Sequence, residues 1–71
     1  MANTLPDRAT SIKLAEAIRS ECLKAARDAF TDASESGLCE EGAIEAALGA
    51  IQSVDTERII SRILNKTQLL Q

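Results

Sequence analysis

Residues 12–39, IKLAEAIRSECLKAARDAFTDASESGLC, decide how this chain folds. At about 100° per residue, Ile12, Ala15, Ile18, Cys22, Leu23, Ala25, Ala26, Ala29, Phe30 and Ala33 fall on one half of a helical wheel. Lys13, Ser20, Lys24, Arg27, Asp28, Thr31 and Glu35 fall on the other half, which makes the stretch an amphipathic helix. Gly37 follows directly and suits the left-handed position that ends helices, with Leu38 placed for the accompanying hydrophobic contact.

Toward the N-terminus, Thr4 can cap this helix, with Pro6 tolerated in the first turn and Asp7 three residues beyond the cap. The first helix is therefore expected over roughly residues 5–36. Toward the C-terminus a second helix is expected over roughly 39–54, where Glu40 and Glu41 in the first turn complement the helix dipole. Its expected core face is Ala43, Ile44, Ala47, Leu48, Ala50, Ile51 and Val54. Asp55 is a good cap for a third helix, expected over roughly 56–70, with Ile59, Ile60, Ile63, Leu64, Thr67 and Leu70 inward. No segment alternates as a half-buried strand does. The expected fold is all-α: one helical domain over residues 1–71, a small three-helix bundle with a long first helix and two shorter ones, open to completion by dimerisation.

Length gives a reason to look for a partner. A chain of 71 residues buries only about 60% of its unfolded surface, and oligomerisation is one common supplement to so small a core. If the two shorter helices fold over the C-terminal half of the first, then Ile12, Leu14, Ala15 and Ile18 stay partly bare. An apolar stripe of that kind on a soluble monomer marks an interaction site, with a two-fold copy its simplest occupant. A second candidate surface is the small-residue stripe Gly42, Ala46, Gly49 and Ser53. Each glycine costs a helix interior about 1 kcal/mol relative to alanine, and close approach of another helix is a physical reason to accept that cost.

Charge is segregated along the chain. Residues 1–27 carry +2, residues 28–45 carry −6 and residues 46–71 carry +1, for a net −3. The acids Asp28, Asp32, Glu35, Glu40, Glu41 and Glu45 form an elbow around Gly37 without an intervening base. Such an elbow would steer a basic partner, while Ile12, Leu14, Ile18 and the small stripe supply helix-in-groove affinity.

Other chemistries find less support. The absence of histidine removes the commonest general base and zinc ligand, and the elbow acids have nothing to desolvate them, so an enzyme is not expected. Asp32, Ser34, Ser36, Gly37 and Glu40 match positions of a calcium loop, but Ala43 stands where a bidentate glutamate closes the site. No metal or cofactor is expected. Cys39 sits at a helix start, yet Glu40 and Glu41 disfavour its thiolate. If Cys22 to Ser36 is helical, its 14 steps at about 1.5 Å each put roughly 20 Å between Cys22 and Cys39, far beyond disulfide reach. No apolar run approaches the ~18 residues of a membrane span, and no signal-peptide pattern precedes Asp7 and Arg8, so a cytoplasmic location is expected.

The stretch Ile60-Ser61-Arg62-Ile63-Leu64-Asn65-Lys66 resembles part of the helix-turn-helix of bacterial repressors. That likeness implies a dimeric DNA-binding regulator using Arg58, Arg62 and Lys66, which could track phosphates at i, i+4 and i+8. Here, however, Gly49 is followed by five more residues of helical pattern before Asp55, where the motif has a tight turn. Net acidity also argues against a nucleic-acid partner. The leading expectation is a small cytoplasmic protein–protein interaction or regulatory module, a homodimer or the partner of a larger protein.

Overall fold

The computed structural model describes the backbone of residues 7–69 and the side chains of residues 7–66. Three helices follow one another: α1 (Arg8–Glu35), α2 (Glu40–Gln52) and α3 (Thr56–Leu69), with no strand among the described residues. The fold class is all-α, as the periodicity indicates. At about 1.5 Å per residue, the 28 residues of α1 span roughly 42 Å.

Each helix starts and stops for a local reason. At the start of α1 the backbone N–H of Thr10 donates to Asp7 Oδ1 at 2.8 Å, and the Ser11 N–H donates to the Asp7 carbonyl at 2.9 Å. Asp7 is thus the cap, later in the chain than the expected Thr4, which lies outside the described residues together with Leu5 and Pro6. At the other end, Gly37 has φ +94°, a conformation that L side chains rarely adopt. That reversal lets the Leu38 N–H reach the Ala33 carbonyl at 3.0 Å and the Gly37 N–H reach the Ser34 carbonyl at 3.1 Å, satisfying carbonyls that the helix end leaves open.

Cys39 precedes α2 in an extended conformation without a side-chain cap bond, and Glu40 and Glu41 occupy the first turn. The helix ends at Ser53, whose N–H reaches the carbonyls of Gly49 and Ala50. For α3 the cap is Asp55, whose Oδ1 accepts from the Arg58 N–H at 3.0 Å. This cap is the one expected from the sequence.

The residues group into two compact units. One joins Met1–Ile18 with Asp55–Gln71, so α3 groups with the first part of α1, and the condition under which both shorter helices cover its C-terminal half is not met. In this unit Ile59 is buried at 5% exposure, Ile60 and Ile63 are half-buried, and Leu64 stays exposed. The expected inward residues Thr67 and Leu70 fall outside the described side chains.

The other unit, Arg19–Val54, is a helical hairpin made from the rest of α1, the turn at 36–39 and α2. Its seam is alanine. Ala33 and Ala43 are buried, and Cys22, Ala25, Ala26, Ala29, Ala46, Ala47 and Ala50 are half-buried. Side chains this small let two helices approach toward the short end of the usual 8–10 Å separation. They also cover little area each.

Candidate functional site

What the hairpin leaves uncovered is its large side chains. Leu23 and Phe30 of α1 are 51% and 38% exposed, and Ile44, Leu48 and Ile51 of α2 are 45%, 58% and 39% exposed. All five belong to the faces expected to form the core. Burial has instead followed the alanines, and the reason lies in helical phase. Leu23 and Phe30 are i, i+7, and Ile44, Leu48 and Ile51 are i, i+4, i+7, so each set forms one line along its helix. Both lines sit about a quarter turn or more from the seam, in the same rotational sense along the chain. Because the two helices of a hairpin run in opposite directions, equal rotations bring both lines to the same side. The hairpin therefore has one face of large apolar residues.

Leu38 sits at the turn end of this unit, 49% exposed. It leans on the first turn of α2, where a Cβ placed on Gly42 would meet Leu38 Cδ2 at 3.2 Å. The neighbour that makes Gly42 useful is thus a leucine side chain from the same turn. Among the described residues nothing lies within 4 Å of such an atom on Gly49, so none of them packs against it there. Ala46 is half-buried between them. The stripe Gly42, Ala46 and Gly49 lies on the opposite flank of α2 from Ile44, Leu48 and Ile51.

The remaining candidates divide between the two units. Ile12 is 48% exposed while Leu14 and Ile18 are half-buried, in the same unit as Arg58, Arg62 and Lys66, all three exposed on α3. Asp32 and Glu35 at the end of α1 and Glu40 and Glu41 at the start of α2 are exposed on either side of the 36–39 turn. A surface depression of about 490 Å³ near them is lined by Cys39, Glu41, Gly42, Ile44 and Glu45.

Apart from the half-buried Glu21, the charged side chains of the hairpin are exposed. Lys24 and Asp28 pair at 4.0 Å with both side chains largely exposed, a surface i, i+4 contact worth at most a few tenths of a kcal/mol. Asp7 titrates below the ordinary 3.8 because the Thr10 hydroxyl and then the Thr10 N–H hydrogen-bond its carboxylate, with Lys13 adding attraction. That shift belongs to a helix cap and marks no chemistry. Among the described residues no group of three or more His, Cys, Asp or Glu could hold a metal ion. Asp32 and Ser34 lie within α1, so the stretch that spells part of a calcium loop is a helix end. Cys22 and Cys39 are both free thiols, half-buried and exposed respectively. No helix among the described residues is long and apolar enough to cross a membrane.

No protein family, curated protein or solved structure matches the chain.

Proposed function

We propose that this chain is a small helical interaction or regulatory module of the cytoplasm, which acts by binding another protein rather than by catalysis. Its apolar helical surface supplies the affinity, and the acidic elbow of residues 28–45 favours a basic partner. One observation carries this reading. Among the described residues eight large apolar side chains are more than a third exposed, and one, Ile59, is buried. Single exposed leucines are ordinary, but several on one face are the usual mark of a binding surface.

A designed amphipathic helix of leucine and lysine, compared by calorimetry with its leucine–glutamate counterpart, tests the reading. The lysine helix should bind, more weakly as salt rises and more weakly still to the triple variant Glu40→Gln, Glu41→Gln, Glu45→Gln. Equal binding of both helices, or of neither, contradicts a basic partner.

A second reading rests on the exposure of Arg58, Arg62 and Lys66 along one line of α3. It makes the chain a dimeric DNA-binding regulator. Duplex affinity that falls steeply with salt and with Arg62→Ala would favour it over the first reading.

A further inference from the structure

We propose that a second copy of this chain covers the large-residue face of the Arg19–Val54 hairpin, in a two-fold pairing that lays α1 of each copy over α2 of the other. The inference rests on the interaction-module reading and names its first partner. The face is Leu23, Phe30, Ile44, Leu48 and Ile51, each 38–58% exposed.

Size supports a second copy. Together the five side chains leave roughly 400 Å² of apolar surface bare, at the level where a patch on a soluble chain marks an interface. A standard interface covers ~800 Å² per partner, so such a patch is the apolar centre of one, with a polar rim to make up the rest. At 71 residues the chain is also in the range where association commonly completes a thin core.

The levels along the hairpin match for this pairing. Ala33 and Ala43 are the buried residues of the seam, and we take them as facing one another across it, at a common level for two antiparallel helices. Counting residues from there, Phe30 falls between the levels of Ile44 and Leu48, and Leu23 falls within about 3 Å of the level of Ile51. A two-fold axis parallel to the helices keeps every residue at its level. It therefore sets Phe30 against Ile44 and Leu48 of the other copy, and Leu23 against Ile51.

Charge selects this pairing over its alternative. Arg27 borders the face on α1 and Glu45 borders it on α2, both exposed. With α1 over the other copy's α2, Arg27 comes within about 6 Å of the level of Glu45, a gap that two long side chains can span. A two-fold axis perpendicular to the helices and crossing the middle of the patch, near the level of Arg27, would lay α1 on α1 and oppose Arg27 with its own symmetry copy. Like charges in that position are unfavourable.

The test is sedimentation equilibrium of the full chain across micromolar to millimolar concentrations. The parent should reach twice its 7.6 kDa mass. Leu48→Glu should hold the mass of one chain at unchanged helicity by circular dichroism, and Gly49→Ala, on the opposite flank, should associate as the parent does. Arg27→Glu should weaken association about tenfold, and adding Glu45→Arg should restore it. The charge variants replace only exposed residues, so they decide the matter even if Leu48→Glu fails to fold. A chain that stays single at every concentration overturns the proposal, as does a dimer indifferent to Leu48→Glu or a double variant that is not restored. A single chain that still binds the leucine–lysine helix removes the second copy as occupant and leaves the interaction reading standing; one that binds neither removes both.

Discussion

The seam and the flank of the same hairpin treat side-chain size in opposite ways. Along the seam, Ala33 and Ala43 are buried at 9% and 0% exposure, while a short rotation around the same helices Phe30, Leu48 and Ile51 remain 38–58% exposed. Ordinary packing covers the largest apolar groups first, because the gain scales with area. Here the small residues are covered and the large ones are not. A seam of alanines holds two helices close without consuming the surface that the leucines and isoleucines present, so the hairpin folds on one side and keeps large apolar side chains exposed on another. Ile59 shows the ordinary arrangement, a large side chain buried at 5% exposure in the unit that contains α3.

Substitutions can break this contrast. The largest loss is expected from Ile59→Ala, about 2–5 kcal/mol by urea unfolding, since a buried isoleucine leaves a cavity behind. A loss under 1 kcal/mol would mean that Ile59 has no real core around it. Ala43→Leu should cost about 1–3 kcal/mol by overpacking the seam. Leu48→Ala, measured at a concentration where the chain is single, should change stability by only about 0.5 kcal/mol. The reverse order would place the core on the flank and end the comparison.

The helices were legible in the sequence because their signals are local. Apolar residues recur at helical spacing through α1, Gly37 stops it, and Asp55 starts α3. The start of α1 was harder to read, since Thr4 and Asp7 are both competent caps within one turn and sequence does not rank them. Which part of the apolar arc turns inward was not legible either. On α2 the alanines and the large aliphatics are adjacent on the wheel, so periodicity marks a wide apolar arc without saying which edge another helix will cover. That choice is tertiary. It depends on how closely two backbones can approach, and alanine allows the closer approach. The candidate site shares this ambiguity: Ile12 and the acids of the elbow are exposed, and so are Leu23, Phe30, Ile44, Leu48 and Ile51, which periodicity alone places on the apolar faces.

Two further effects sharpen the picture. Gly49→Ala should stabilise the chain by about 0.8–1 kcal/mol, because a methyl group there meets open space and the helix interior gains a better former. A destabilised variant would reveal a close neighbour on the small-residue flank. The smallest effect concerns Asp7. Its carboxyl titrates below the ordinary 3.8, so its charged form is favoured by the folded helix. The resulting stabilisation is present above the unfolded value and is lost as pH falls through the folded one. A carboxyl carbon titration by NMR should place Asp7 below 3.8 and show α1 fraying from its first turn as Asp7 protonates. A midpoint at or above the ordinary value would remove Asp7 as the cap.

In the proposed pairing the large-residue face is open in one chain and closed between two. The sequence contains no tryptophan or tyrosine, so Phe30→Trp places a single fluorescent reporter on that face. The measurement is its emission at a concentration where the parent associates, alone and with Leu48→Glu added. The account predicts a blue-shifted, buried tryptophan in the first case and a red-shifted, solvated one in the second. Identical emission in both would contradict it.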